Sequence, residues 1–361
     1  MKGRYAVLGA LVAMAEAPLC AQSAGPGPSA TAMAVDVSKG LTAVAGLKLG
    51  HHTLAERPTG CTVVLAEGGA VAAVDQRGGA PGTRETDLLD PVNHVQQIHA
   101  IVLAGGSAFG LDAATGTVRW LEERGIGYDT RVAKVPIVPS AILFDLGFGG
   151  KPQVRPTADC GYRAAQAASS GPVAEGNVGA GAGATVGKLG GPGRSMKAGI
   201  GTAAIAVGDL VVAALVAVNA VGDIIDPANG KVVAGVRTED GSGLADARRL
   251  VREGMRRPQP PRPLENTTIG VVATNARLSK AEAQRVAIMA TDGCARAISP
   301  VHLPGDGDTL FALATGTLEG EADVGLIGAL AAQVTADAIV RAAMQATGSE
   351  GVPAARDLAK P

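Results

Sequence analysis

Apolar residues along the chain follow two spacings, which predict strands and helices arranged in groups. Short apolar runs indicate strands, whereas Leu111, Val118 and Leu121 recur at helical spacing before Gly125. The first two runs flank Gly68-Gly69 and predict a β-hairpin. Because the elements do not alternate strictly, the pattern favours a layered α+β fold over a doubly wound sheet. The predicted strands cover residues 61–65, 70–74, 101–103, 202–206, 210–219, 268–274 and 311–315, and the predicted helices cover 109–124, 158–168, 280–297 and 323–347.

The N-terminus has the pattern of an export signal. Lys2 and Arg4 form a short positive region, residues 5–15 are apolar, and small residues precede a cleavage point after Ala21. The following stretch, 22–39, is rich in Ala, Gly, Pro and Ser and is predicted to be a flexible leader. No later segment has about 18 uninterrupted apolar residues. We therefore expect a soluble protein without a membrane partner, periplasmic or secreted.

Composition and charge narrow the function classes. The chain has 361 residues, of which 47% are hydrophobic and 2% aromatic, with 51 glycines and a formal net charge of -1. This length suits one large domain or two small ones with an aliphatic core, and the charge gives no indication of a nucleic-acid partner. An arginine- and proline-rich stretch at 248–265 is predicted to be a solvated linker.

Cysteine and histidine spacing gives no indication of a metal centre. Loss of Cys20 with the signal leaves Cys61, Cys160 and Cys294, an odd number without a CxxC pair. The histidines form no HExxH or HxxxH pair. We expect buried free thiols, with one disulfide as the alternative, and neither a metal nor an organic cofactor.

The dipeptide Asn266-Thr267 directly precedes an apolar run that is predicted to be a buried strand. If the bond between them breaks, Thr267 becomes an N-terminus that carries both a hydroxyl nucleophile and an α-amine. Such an amine can accept the hydroxyl proton, since its unperturbed pKa is roughly 7.7–8.0. The dipeptide alone has little specificity, so its meaning depends on its surroundings.

Four other polar residues are candidates for chemistry, each with a plainer interpretation. Lys188 follows a run of small residues, although most lysines are solvated. Asn219 ends an apolar run and could stabilise an oxyanion, or simply form a turn. Asp306 and Asp308 precede a strand and could orient a hydroxyl or an amine, or lie in a surface turn.

Six blocks of sequence together resemble the L-aminopeptidase/D-esterase family, which includes β-peptidyl aminopeptidases and the hydrolase of 6-aminohexanoate (nylon) oligomers. They occur in matching order between about residues 40 and 345, and such an ordered set is far more specific than a single motif. The blocks are Gly60-Cys61-Thr62-Val63-Val64, residues 75–85 (DQRGGAPGTRE), 105–112 (GGSAFGLD), 179–188 (GAGAGATVGK), 218–223 (VNAVGD) and 306–311 (DGDTLF).

The resemblance implies a single four-layer αββα sandwich domain over residues 40–347, followed by a tail at 348–361. It also implies a precursor that cuts itself into two associated fragments. Applied to this chain, it implies a cut at Asn266-Thr267 with Thr267 as the nucleophile, giving fragments 22–266 and 267–361. It implies an oxyanion-stabilising Asn219 and an active-site Lys188. It also implies that Asp306 and Asp308 hold the nucleophile, that Ser107 and Phe144 contribute to substrate binding, and that the protein assembles as a multimer such as a tetramer.

Two departures from the family pattern leave the substrate open. Phe144 stands near the position of an active-site Tyr and has no hydroxyl to donate. The run at residues 136–141 (PIVPSA) lacks the acidic residue with which the aminopeptidase branch can hold a substrate amine. The substrate could therefore be an α-peptide, a β-peptide, an amino-acid amide or a linear amide oligomer, cut from its end or internally.

Two other functions are compatible with parts of the sequence. A self-processing acyltransferase would use the same Thr267 and pass the acyl group to an amine instead of water. An uncleaved periplasmic binding protein would use neither the cut nor the nucleophile. The expected activity is hydrolysis of amide or peptide bonds in small molecules.

Overall fold

The computed structural model describes residues 35–254 and 266–358. The predicted signal at 1–21, most of the predicted leader and most of the arginine- and proline-rich stretch lie outside the described residues. The last part of the predicted leader is ordered, because a 3-10 helix runs over Val37–Ala43. The Leu41 backbone N–H of this helix donates to the Thr202 hydroxyl.

Most strands are built from Val, Ile, Leu, Ala and Thr, which suit a pleated and buried surface. In chain order they are β1 (Lys48–Thr53), β2 (Gly60–Gln76), β3 (Thr83–Arg84), β4 (Ile98–Ala104), β5 (Tyr128–Asp129), β6 (Lys134–Val135), β7 (Ser140–Ile142), β8 (Thr185–Val186), β9 (Met196–Lys197), β10 (Ile200–Val207), β11 (Leu210–Asn219), β12 (Asp223–Ile225), β13 (Val232–Ala234), β14 (Thr267–Thr274), β15 (Ile298–Ser299) and β16 (Thr309–Ala314).

The α-helices are rich in alanine, and the two longest lie in the last quarter of the chain. Ser279 and Glu282 form a capping box that starts α4. The helices are α1 (Ala113–Glu122), α2 (Ala158–Gln166), α3 (Ala247–Arg252), α4 (Lys280–Ala297), α5 (Val324–Gln345) and α6 (Ala355–Leu358).

The main strands pair in the order β10-β11-β14-β16-β2-β4-β7-β3. β1 pairs with the first part of β2, residues 60–65. These strands form two layers, and in both of them successive side chains point to opposite faces. The first layer consists of β1, β4, β7, β3 and the first part of β2, and the second layer consists of β10, β11, β14, β16 and the last part of β2. Val271 of β14 and Leu103 of β4 share one core between the layers. Val272 faces α4 and α5, and Val102 faces α1 and α2. The fold is therefore a four-layer αββα sandwich.

The predicted β-hairpin around Gly68-Gly69 is wrong. Residues 60–76 form the single strand β2. Its first part pairs with β1 and β4 and its last part with β16, with a register shift between Leu65 and Ala70. Gly69, at a φ of 83°, supplies the irregularity in this stretch. A glycine pair that looks like a turn instead lets one strand pass from one layer to the other.

The expectation of free thiols is wrong for two of the three cysteines. Cys61 in β2 and Cys160 in α2 form a disulfide that joins a strand to its covering helix. Cys294 is free and buried. Since both bridged cysteines precede Asn266, the disulfide does not cross the predicted cut.

The helix α5 is long and apolar enough to cross a membrane by length and composition alone. It packs, however, against α4, β10 and β11. Its buried residues include Val334 and Ile339 in the core outside the second layer. These contacts are those of a core helix.

Burial of His51 makes the stability of the fold dependent on pH. Loss of solvation lowers the pKa of this imidazole to about 4. The unfolded chain, with a pKa near 6.5, binds a proton first as the pH falls, so stability is lost between about pH 6.5 and pH 4. We expect the free energy of unfolding to drop by about 3 kcal/mol over that window through this residue.

The test is thermal unfolding of wild type and His51→Asn between pH 7 and pH 4. Asparagine can keep the contact of His51 Nδ1 with the Thr62 hydroxyl, which lies at 2.9 Å, but does not titrate. We expect a smaller fall in melting temperature for the variant. An equal fall would contradict the assignment. His94→Asn, which removes an exposed imidazole, is the matched control.

Candidate active site

The topology brings the predicted nucleophile and its predicted neighbours to one edge of the second layer. β14 lies between antiparallel β11 and parallel β16, so its first residue lies beside the end of β11 and the beginning of β16. Thr267 pairs in register with Asn219. Asn266 forms a parallel bridge with Asp306. Residues far apart in sequence thus converge on the predicted cleavage bond.

The peptide bond between Asn266 and Thr267 lies in a buried part of the structure. Both residues are at most 3% exposed. The Thr267 hydroxyl lies 2.5 Å from the Asn266 carbonyl oxygen, and the Gly307 backbone N–H donates to the same oxygen at 3.0 Å. A carbonyl held by an N–H donor is polarised toward attack, and the same donor can stabilise the oxyanion that follows.

Lys188 and Asn219 form one hydrogen-bonded unit beside the nucleophile. The Lys188 ammonium donates to the Asn219 side-chain oxygen at 2.7 Å and to its backbone oxygen at 2.9 Å. The Thr185 backbone N–H also donates to the side-chain oxygen, at 3.1 Å. Gly187, at a φ of 70°, gives the turn that aims Lys188 inward. The contact places a positive charge on the amide that is predicted to stabilise an oxyanion.

Of the two predicted aspartates, Asp308 holds the backbone next to the nucleophile, and Asp306 holds the loop that precedes it. One oxygen of Asp308 accepts from the Thr268 backbone N–H at 2.6 Å, and the other lies 2.9 Å from His302 Nδ1. Asp306 accepts from the Leu303 backbone N–H at 2.9 Å. Asp308 therefore fixes the peptide that follows Thr267, through the residue next to the nucleophile.

Phe144 contacts the site through its backbone, and Ser107 is bonded to the residue that precedes Phe144. The Asn219 side-chain amide donates to the Phe144 carbonyl at 2.8 Å. The Ser107 backbone N–H donates to the Leu143 carbonyl at 3.0 Å. A role for either side chain in substrate binding stays a prediction.

Sequence reasoning missed Gly307 and His302. An added Cβ at Gly307 would lie 3.0 Å from the Thr267 hydroxyl, so the lack of a side chain there makes room for the nucleophile. Its position between two predicted active-site aspartates was the available signal. In residues 35–254 and 266–358, no three His, Cys, Asp or Glu side chains are grouped so that they could hold a metal ion.

Known proteins resemble this chain over most of its length. The family model described as Peptidase family S58 matches residues 39–356. An uncharacterised aminopeptidase of Mycobacterium bovis is 42% identical, with 88% of this chain and 97% of that protein covered. A 6-aminohexanoate-oligomer endohydrolase of a Kocuria species is 34% identical, with 82% and 84% covered.

A solved structure shows the same fold at lower identity. The L-aminopeptidase/D-Ala-esterase/amidase of Ochrobactrum anthropi, described as a variant of the Ntn hydrolase fold, superposes with a TM-score of 0.65. Its sequence is 21% identical, with 89% of this chain and 92% of that chain covered. The fold, the extent of the family match and these relatives together show that the chain belongs to peptidase family S58, whose members include enzymes that hydrolyse peptide and amide bonds.

Proposed function

We propose that this chain is a precursor that cuts itself between Asn266 and Thr267, and that the exposed Thr267 then hydrolyses amide bonds. One observation carries the proposal. The Thr267 hydroxyl lies 2.5 Å from the oxygen of the carbonyl it would attack, and Gly307 donates to that oxygen. The peptidase family assignment favours water, rather than an amine, as the acceptor of the acyl group.

Self-cleavage proceeds by an N-to-O acyl shift. The Thr267 hydroxyl oxygen bonds to the Asn266 carbonyl carbon, the C–N bond breaks, and the released nitrogen takes up the hydroxyl proton. Water then adds to the resulting ester, which leaves a carboxylic acid on Asn266 and restores the Thr267 hydroxyl. The Gly307 N–H stabilises the oxyanion of the first step.

Substrate hydrolysis uses the same hydroxyl with the newly freed α-amine as its base. The amine takes the hydroxyl proton as the oxygen attacks the substrate carbonyl, and it returns that proton to the leaving amine. Asn219 donates an N–H to the developing oxyanion, and Lys188 makes the amide a stronger donor by holding its oxygen. Water then releases the acyl group from Thr267.

The two fragments stay together after the cut. The small fragment supplies β14 and β16, and the large fragment supplies their neighbours β11 and β2. The large fragment cannot be removed without breaking both ladders and exposing the core between the layers. The active site is therefore composed of residues from both fragments.

For the substrate, we propose amides that do not need a free N-terminal amine, such as linear amide oligomers. Residues 136–141 carry no charge. A nearby carboxylate, that of Glu85, accepts from the Val138 backbone N–H at 3.1 Å and is thus engaged with this run itself. The relative from Kocuria, named for hydrolysis inside 6-aminohexanoate oligomers, supports this class.

A substrate panel tests this specificity. Free-amine dipeptides, β-dipeptides and amino-acid amides are compared with N-acetylated amides and 6-aminohexanoate oligomers at matched concentrations. We expect blocked amides and oligomers to be cleaved at least as fast as their free-amine counterparts. Cleavage of free-amine substrates alone would contradict the proposal and indicate an aminopeptidase.

We further propose that the protein is exported and forms a homo-oligomer. The Cys61–Cys160 disulfide is typical of oxidising compartments and supports export. Val92 and Val132, which are 87% and 92% exposed, are the most exposed large apolar residues in the described part of the chain, and we assign them to the contact with a second copy. A mature N-terminus at Gln22 outside the cytoplasm and a sedimentation mass above one chain are the expected results. A cytoplasmic protein that keeps residues 1–21 would contradict export, and a mass of one chain would contradict the homo-oligomer.

A further inference from the structure

Three charged side chains lie buried in the sandwich, and the reaction described above uses none of them. Arg57, Asp145 and Lys197 are at most 3% exposed. Buried charges are costly unless they are paired and fully hydrogen-bonded. These three are held by dense hydrogen bonding, and that bonding leads to the amide of Asn219.

Arg57 and Asp145 fix the segment that follows β7. The Arg57 guanidinium donates to the Asp145 carboxylate at 2.9 Å, to the Asp145 backbone oxygen at 2.5 Å and to the Phe148 backbone oxygen at 3.1 Å. The Asp145 carboxylate also accepts from the Thr59 hydroxyl at 2.6 Å and from the Gly106 backbone N–H at 2.8 Å. Side chain and backbone of Asp145 are thus both immobilised.

Two glycine-rich motifs make room for this carboxylate. An added Cβ at Gly105 would lie 2.2 Å from an Asp145 oxygen, and one at Gly183 would lie 2.6 Å from the same oxygen. Neither distance is tolerable for a side chain. The Asp145 carboxylate therefore requires glycine at positions 105 and 183.

The residue before Asp145 is Phe144, whose carbonyl accepts from the Asn219 amide nitrogen at 2.8 Å. Fixing Asp145 fixes this carbonyl. It therefore also fixes the position of the Asn219 amide nitrogen, which donates to this carbonyl.

Lys197 fixes the backbone segment that donates to the oxygen of the same amide. Its ammonium donates to the carbonyls of Gly181, Ala184 and Ala198 at 3.2, 3.0 and 2.5 Å. The next residue after Ala184 is Thr185, whose N–H donates to the Asn219 side-chain oxygen. Burial lowers the pKa of Lys197 to about 7, and the Asp145 charge opposes that shift.

We propose that Arg57, Asp145 and Lys197 are positioning residues that set the orientation of the Asn219 amide. The inference rests on the proposed function, in which Asn219 donates to the oxyanion. A flipped amide would place its oxygen against the Phe144 carbonyl and its nitrogen against the Thr185 N–H and the Lys188 ammonium. The network prevents that flip, so the amide presents its nitrogen, rather than its oxygen, to the reacting carbonyl.

A double-mutant cycle tests the proposal. Lys197→Met is made in the wild type and in an Asn219→Ala background, and kcat and KM are measured for each protein. We expect Lys197→Met alone to lower kcat by about 10-fold or more with KM within about 2-fold, and to have less than about a 2-fold effect once Asn219 is gone. Equal losses in both backgrounds would overturn the proposal, because a general structural defect does not depend on Asn219.

Lys280→Met is the matched control. Lys280 is also buried and also donates to three backbone carbonyls, but it begins α4, beyond the opposite end of β14. We expect a comparable loss in melting temperature with kcat unchanged. A fall in kcat equal to that of Lys197→Met would overturn the proposal.

Thr59→Val provides a milder probe if Lys197→Met does not fold. It removes only the hydroxyl bond to Asp145, and the same dependence on Asn219 is expected. A loss of kcat that is the same with and without Asn219 would again overturn the proposal. Failure of the proposed function is recognised separately, because Thr267→Ala would then keep its activity whatever the result of the cycle.

Discussion

Replacing Thr267 with alanine should leave the protein as one uncut chain without amidase activity. The variant lacks the hydroxyl that lies 2.5 Å from the Asn266 carbonyl oxygen, so neither the acyl shift nor substrate attack can begin. Loss of a catalytic nucleophile lowers kcat by about 10⁴-fold or more. Intact mass under denaturing conditions and hydrolysis of an amide substrate measure the two effects.

Thr267→Ser is the control for this variant, because it keeps a hydroxyl at the same position. It should still cut itself and retain measurable activity. The fragments should separate on a gel without reductant, since Cys61 and Cys160 both lie before the cut and Cys294 lies after it. A folded Thr267→Ala protein that is still cut, or still active, would contradict the assignment of the nucleophile.

Replacing Gly307 with alanine should block or strongly slow self-cleavage. The new Cβ would lie 2.9 Å from the Ala80 backbone oxygen and 3.0 Å from the Thr267 hydroxyl. Since the backbone of Ala80 cannot move away easily, the Gly307 N–H and the hydroxyl must both shift from the Asn266 carbonyl. The required shift is a few tenths of an ångström, and it slows the attack because a full 1 Å of misplacement costs about 100-fold in rate. The uncut precursor should therefore accumulate, as measured by a time course of fragment formation.

Gly305→Ala is the matched control, two residues away in the same loop. Its added Cβ would meet no heavy atom within 4 Å. It should process like the wild type. Wild-type processing of Gly307→Ala would show that the geometry around the Asn266 carbonyl does not govern the cut.

The long elements of the fold could be predicted from the sequence because local signals define them. The helix predicted at 280–297 is observed as Lys280–Ala297, where a capping box fixes its first residue. The strand predicted at 268–274 is observed as Thr267–Thr274. Two features depend on distant pairing and could not be read locally. These are the passage of β2 between layers and the disulfide, whose cysteines are 99 residues apart.

The candidate site was partly predictable for a similar reason. Ordered motifs identified Thr267, Asn219 and Lys188, and the structure brings these residues together. The contribution of Gly307 is a backbone N–H, for which no side-chain pattern exists. Arg57 and Asp145 are 88 residues apart, and only the fold shows that they meet.

The family resemblance also separates what is shared from what is particular to this chain. Membership in peptidase family S58 accounts for amide hydrolysis and for the layered fold. The uncharged run at 136–141 and Phe144 are this chain's own departures from the family pattern. Substrate choice therefore has to be measured on this protein.

The central claim is that self-cleavage creates the catalytic nucleophile, and the intact mass of the active wild-type protein tests it most directly. The account predicts two polypeptides under denaturing conditions, the smaller being the 95 residues 267–361 with Thr267 at its N-terminus. A single uncut chain that hydrolyses amides would contradict it.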